Sequence, residues 1–244
     1  MLHHWSFNEP YPYKDHITGQ EVKFVGDTEP LNTTDYLSLT GASCLILGSF
    51  KDGCLSNMTA CNSGFSLAFW LQVKPSATSP QVLVGTTRNG TDIHGVFVYQ
   101  TQAIRTERRL FAEVYVNGFS WKVPLTVSLE MWVFIALSWN NRVGSLSVYM
   151  NRNRINSTRG GYESDPELRR LLKLRGRFPR HDGPATLYLE SGGLYDEVMT
   201  WNSALDYSEM KRLFQSQLSK QTYMCGIPVL VRKSILYILA SDAI

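Results

Sequence analysis

The chain has little of what usually announces chemistry. Cysteine occurs four times in 244 residues, without the paired spacing of a zinc site. The histidines, His3, His4, His16, His94 and His181, show no metal-ligand spacing beyond one adjacent pair. There is no Gly-x-Ser-x-Gly turn to raise a nucleophilic serine and no Gly-Lys-Ser/Thr loop to cradle phosphate. An excess of one charge is missing too: 24 basic residues face 21 acidic ones, a formal net charge of +3, which gives no reason for an obligatory nucleic-acid partner. The uncharged apolar run Ser234 to Ser241 in the C-terminal tail is too short to span a bilayer. Met1-Leu2-His3-His4-Trp5 has neither the basic region nor the apolar stretch of a signal peptide. The expectation is a piece of a larger secreted or membrane protein.

What is present is greasy and finely divided. With 43% apolar and 12% aromatic residues, a chain of this length fills a core without metal or disulfide staples. Phe65, Leu67, Phe69, Leu71 and Val73 alternate with Ser66, Ala68, Trp70 and Gln72, the period of a strand. Val82 to Val84, Val96 to Tyr99 and Leu110 to Val116 follow. Asn117-Gly118 then marks a two-residue hairpin that returns along Phe119 to Val123. Met131 to Trp139 reads as a central strand, and Leu146 to Met150 alternates into the turn Asn151-Arg152-Asn153. Near the end, a strand from Asp196 to Trp201 leads into an amphipathic helix with Leu205, Met210, Leu213 and Phe214 on its apolar side and Asp206 or Ser208 as its cap. Many short strands closed by one helix predict an all-β, two-sheet antiparallel sandwich.

The order of these motifs resembles that of laminin-G-like and pentraxin-like domains of the concanavalin A-like lectin/glucanase superfamily. Trp5-Ser6-Phe7 resembles their opening strand, Gly64, Ser66 and Trp70 their G-x-S-x-x-x-W strand, and Trp132, Ala136 and Trp139 their W-x-x-x-A-x-x-W strand. Leu146, Val148, Tyr149 and Asn151 resemble the L-x-V-Y-x-N-G segment, with Arg152 where the family has glycine. The resemblance covers roughly residues 3–215 and implies a jelly-roll domain over 1–220, with a helical, basic insertion at about 157–184 and a tail over 221–244. It also implies a non-catalytic recognition or adhesion module outside the cell, taking a glycan or another protein as ligand. Calcium is a cofactor such relatives often use; no ligand set of theirs aligns here, and Asp92 and Asp182 are loose candidates set against ordinary turn aspartates. Asp196-Glu197, beside the last strand, is assigned to holding loop backbone.

Two features point to an oxidising compartment. Asn32, Asn57, Asn89 and Asn156 each open an Asn-x-Ser/Thr glycosylation triplet. Cys54 and Cys61 lie in one short, turn-rich loop that is easily bridged. Cys44 and Cys225 either form a second bridge or leave Cys44 as a small core residue.

Glu163, Asp165 and Glu167 have the Glu-x-Asp-x-Glu spacing of the β-glucanase triad, the basis of an alternative reading as a glycoside hydrolase. Pro166 between the last two acids breaks a strand ladder and suits a helix start, with Ser164 or Asp165 as cap. A basic cluster follows: Arg169, Arg170, Lys173, Arg175, Arg177 and Arg180, with His181 next to the last. It is a candidate grip for anionic ligands, set against an ordinary solvated face. Five tryptophans, Trp5, Trp70, Trp132, Trp139 and Trp201, are read as core. Trp121, just beyond the hairpin, is the candidate for ligand stacking.

Overall fold

The computed structural model describes residues 1–7, 13–26, 31–33, 36–39, 43–50, 54–55, 58, 61–75, 77, 80–87, 95–103, 106–163 and 185–224. Two antiparallel sheets, of eight strands each among these residues, make a jelly-roll sandwich. The first runs, from one side to the other, through β13 (Asn153–Arg159), β12 (Ser145–Met150), β11 (Val133–Asn140), β6 (Phe65–Val73), β16 (Gly193–Trp201), β4 (Tyr36–Ser38) and β3 (Leu31–Thr33). A short β1 (His3–Trp5) also pairs with β16. The second runs through β14 (Tyr162–Glu163), β10 (Phe119–Ser128), β9 (Glu107–Val116), β8 (Gly95–Ala103), β7 (Gln81–Thr87), β15 (Thr186–Glu190), β5 (Cys44–Ser49) and β2 (Lys23–Val25).

Strand alternation decides which side chains meet between the sheets. Phe65, Leu67, Phe69, Leu71 and Val73 of β6 join Leu110, Ala112, Val114 and Val116 of β9 in one core, together with Val123, Leu125, Ile135, Leu137 and Val198. Each fully buried side chain of this kind stabilises the fold by about 1.5–3 kcal/mol. Tyr195 ties the layers with polarity as well. From the first sheet its hydroxyl reaches the Leu83 and Glu190 carbonyls of the second, at 2.9 and 2.7 Å.

The other face of β6 is buried too, so its Ala68 and Trp70 are not half-solvated. Helix α1 (Tyr207–Met224) lays Met210 and Phe214 on Trp70, Phe134, Tyr149 and Met199. Asp206 caps it: Oδ1 accepts the Glu209 N–H at 2.8 Å, while the Glu209 carboxylate accepts the Asp206 N–H at 2.8 Å. The Glu209 N–H and the Ser208 hydroxyl, both donating to its carboxylate, outdo a small desolvation and hold Asp206 below its usual pKa.

The Asn117-Gly118 hairpin forms as expected, with φ of 52° and 82° at its two central residues. Its register sets Phe119 opposite Val116 and continues to Ser128 opposite Glu107. Three boundaries differ from the sequence reading. β11 begins at Val133 and leaves Met131 exposed. β16 begins at Gly193, because pairing with β6 carries the strand back past Asp196. Residues 157–159 and 162–163 are not an excursion but parts of β13 and β14, recruited by pairing to β12 and β10.

Candidate functional site

The second sheet has an outward face unlike an ordinary solvated one. Phe111, Glu113 and Tyr115 of β9 point away from the core, between Phe97 and Tyr99 on β8 and Ser120 and Lys122 on β10. Register makes two cross-strand rows: Phe97–Glu113–Lys122 and Tyr99–Phe111–Pro124. Phe97, Tyr99, Tyr115 and Tyr188 form a buried cluster with Val82. Gly85 makes room for it, since a Cβ there would lie 2.5 Å from the Tyr188 hydroxyl and 3.1 Å from the Phe97 ring.

Glu113 sits in this cluster at 0% exposure. The Tyr99 hydroxyl donates to its Oε2 at 2.6 Å. Burial pushes the carboxyl above its usual pKa, against the opposing pull of the Tyr99, Ser120 and Tyr115 hydroxyls and the Lys122 charge. None of these groups is a second carboxylate, so this is not the acid pair that glycosidic hydrolysis requires. Between the ordinary carboxyl pKa and the raised one, the folded chain keeps a proton that the unfolded chain has lost. Stability therefore falls as pH rises through that window and stays lower above it. Glu113→Gln is expected to stabilise the protein at pH 8 by about 1 kcal/mol and to change little at pH 4. Urea unfolding of both proteins at the two pH values checks this; an offset independent of pH counts against it.

Beside the buried acid lies an accessible, cationic edge. The Lys122 ammonium stands 3.9 Å from the Phe111 ring centroid and 5.5 Å from that of Tyr99, and the Arg109 guanidinium carbon is 5.2 Å from Phe111. Arg109 is exposed, while Phe111 and Lys122 are half-buried. Two cations thus share one aromatic ring.

A second polar constellation fastens the N-terminus. His3 Nδ1 lies 2.6 Å from Asp15 Oδ2, and His4 Nε2 lies 2.5 Å from Glu197 Oε2. Ser6 Oγ and His16 Nε2 are 2.8 Å apart, and the His4 and His16 rings stand 5.4 Å apart. Burial pushes Asp15 up, but the His4 and Ile17 N–H groups, Thr18 and His3 together bring it below the usual carboxyl pKa. Glu197 holds a histidine of β1, and Asp196 Oδ1 accepts a backbone N–H, that of Glu197. Among the described residues no group of three or more His, Cys, Asp or Glu side chains is arranged to hold a metal.

The other sequence candidates fall out as follows. Cys54 and Cys61 are bridged, with Cα atoms 5.0 Å apart. Cys44, half-buried on β5, is a free thiol pushed up by burial, and its suggested partner Cys225 lies outside the described residues. So do Asn57, Asn89, Asp92, Asp165, Glu167, the cations from Arg169 to Arg180, and Asp182. Glu163 ends β14 opposite Phe119, Asn32 lies within β3, and Asn156 is exposed on β13.

Trp121 is not an open stacking platform. Its ring packs on Trp139 at 4.4 Å between centroids, and its indole N–H donates to the Gly144 carbonyl at 2.9 Å. Trp5, Trp70 and Trp139 are buried as expected, while Trp132 and Trp201 are half-buried beside the helix-covered cluster.

Sequence reasoning passed over Glu113 and the histidine clasp. The hairpin register already placed Glu113 opposite Lys122, so that pairing was readable. Its burial was not, because it depends on β8 and β15.

A helix-capped, two-sheet jelly roll with a polar and aromatic outer face defines the class of lectin-like β-sandwiches. A laminin-G family model, described as the concanavalin A-like lectin/glucanases superfamily, matches residues 33–211. The chain belongs to that superfamily. Among solved structures, the binding domain of botulinum neurotoxin serotype D/C VPI 5993 is similar at 13% identity and a TM-score of 0.60, over 88% of this chain and 51% of that one. The botulinum neurotoxin DC binding domain in complex with SialylT is similar at 12% identity and 0.57, over 88% and 50%. The same domain in complex with rat synaptotagmin II gives 13% and 0.59, over 88% and 51%. At such identities the likeness is one of fold, and the chain spans about half the length of these structures. No curated protein matches the sequence.

Proposed function

We propose that this chain is a non-catalytic recognition module on the extracellular side, part of a larger protein, that binds an acidic glycan through the accessible Arg109–Phe111–Lys122 edge of its second sheet. The observation that carries this is the pair of cations, Arg109 and Lys122, set on the Phe111 ring. The Phe111 ring fixes both cations in place, and the exposed guanidinium and half-buried ammonium suit the carboxylate or sulfate groups of an acidic sugar. The sequence adds charge of the same sign. Arg169, Arg170, Lys173, Arg175, Arg177 and Arg180 fall in the segment joining β14 to β15, two strands of this sheet with β10, β9, β8 and β7 between them. The Cys54–Cys61 bridge supports the extracellular setting. One solved neighbour was determined with SialylT and another with rat synaptotagmin II. In this reading residues 1–220 act as one domain, and α1 continues to Met224.

The test is retention on immobilised heparin and on sialylated glycans as salt is raised. Arg109→Ser with Lys122→Ser is expected to weaken binding roughly tenfold at physiological salt. Arg175, Arg177 and Arg180 changed to Ser should weaken it further. Unaltered retention in both variants, or capture of neutral glycans alone, sinks the reading. Hydrolysis of a β-glucan that disappears in Glu163→Gln would instead establish the enzyme.

A further inference from the structure

We propose that one end of the sandwich is a docking tip for anionic lipid surfaces, where Phe119 and Val143 enter the membrane and Arg142 and Arg159 hold its headgroups. Phe119 belongs to the side of β10 whose Val123, Leu125 and Val127 fill the core and whose Trp121 packs against it. The apolar row does not stop where the core does. Phe119, the next residue along it, is 51% exposed beside the β9–β10 turn. Val143, 57% exposed, occupies the β11–β12 turn, so each sheet sends one apolar side chain out into solvent.

Both emerge at the same end, because the turns that carry them are fastened to one carbonyl. The Gly144 oxygen accepts the Trp121 indole N–H at 2.9 Å and the Gly160 N–H at 3.1 Å. A Cβ on the adjoining Gly161 would lie 2.7 Å from Phe119 Cβ and 3.0 Å from the Trp121 ring, so glycine is what lets the β13–β14 turn close against them. In the β11–β12 turn, Asn140 Oδ1 accepts the Arg142 and Val143 N–H groups at 3.1 and 3.4 Å. Arg142 and Val143 are therefore presented by a turn already formed, with little ordering left to occur on contact.

Charge decides the occupant. The segments 117–121, 140–145 and 157–161 that build this end contain two arginines and no acid. Arg142 and Arg159 are exposed, and neither pairs with a carboxylate among the described residues. Glu163, opposite Phe119 on β14, is the nearest acid along the chain. A stable protein interface needs about 800 Å² on each side, far more than two side chains on separate turns supply. A lipid surface asks for less. Its binding grows with the apolar area that passes the headgroups and with the cations left at headgroup level, and both are present here.

The test is co-sedimentation of the 244-residue chain with vesicles of equal parts phosphatidylserine and phosphatidylcholine, and with phosphatidylcholine alone. Binding is expected on the mixed vesicles and should be roughly tenfold weaker on the neutral ones. Phe119→Ser with Val143→Ser should weaken it roughly tenfold at unchanged net charge. Heparin retention of that variant should match the natural chain, which separates this docking from the glycan edge. Arg142→Gln and Arg159→Gln should each weaken vesicle binding roughly fivefold. Val143→Ser alone, on a turn outside the strand ladders, should act in the same direction even where Phe119→Ser loosens the end of the sandwich. A natural chain left in the supernatant, or serine variants that bind in full, overturns the proposal and leaves the glycan reading intact. Self-association that the serine pair abolishes, without vesicle binding, assigns the tip to a second copy of the chain instead.

Discussion

Gly64→Ala is expected to destabilise the protein by about 3–5 kcal/mol, a large part of the stability of a typical domain. Gly64 stands at the entry to β6 with φ +83°, a conformation that side chains with a Cβ rarely adopt. A methyl group there would also collide with the Trp139 carbonyl and lie 2.8 Å from the Ala204 side chain. The collision matters because this corner holds the end of the fold. Ser63 accepts the Ala204 N–H through its carbonyl at 2.8 Å, Ser66 Oγ donates to the Ser203 carbonyl, and the Leu205 N–H donates back to Ser66 Oγ. From the neighbouring strand, Ser138 Oγ donates to the Leu205 carbonyl at 2.7 Å. Pushing Ala204 away breaks these bonds and lifts the start of α1. Urea unfolding followed at 222 nm measures the loss, and a cost under about 1 kcal/mol would disprove the close approach. The Gly-x-Ser pair that marks this strand in the sequence thus has a physical explanation. The glycine admits the last corner, and the serine ties it down.

Trp139→Ala should cost about as much, 3–5 kcal/mol, by leaving a large hole in the core. Trp139 is 1% exposed and supports Trp121, whose other contacts include the backbone near Gly161. With its support gone, Trp121 gains solvent, so its emission should move to longer wavelength as stability falls. Trp139→Phe discriminates volume from polarity. The Trp139 indole N–H has no hydrogen-bond partner among the described residues, so phenylalanine forfeits none. It should recover to within about 1.5 kcal/mol of the natural chain. A loss in Trp139→Phe equal to that in Trp139→Ala would assign the effect to something other than filled space.

The local half of the fold was legible because its information is local. The β6 alternation, the hairpin at Asn117-Gly118 and the capped helix from Tyr207 each depend on a handful of neighbouring residues. The disulfide was legible for the same reason, since Cys54 and Cys61 share one short loop. Trp121 was misjudged because its position past the hairpin says nothing about Trp139, eighteen residues further on and in the other sheet. Residues 157–159 and 162–163 were read as part of an insertion because polar edge strands lack the apolar alternation that marks a strand. Pairing on one side alone makes β13 a strand.

The order of alternating strands, turns and cap therefore determined by itself that two sheets would form and which side chains would fill the space between them. Only the tertiary structure decided that Glu113 lies buried beneath Tyr99, that His4 meets Glu197, and that Arg109 and Lys122 share one ring. The reason is that burial and charge environment belong to contacts between strands far apart in the chain. Their register is fixed by bulges, crossovers and competing partners that no short window of sequence contains.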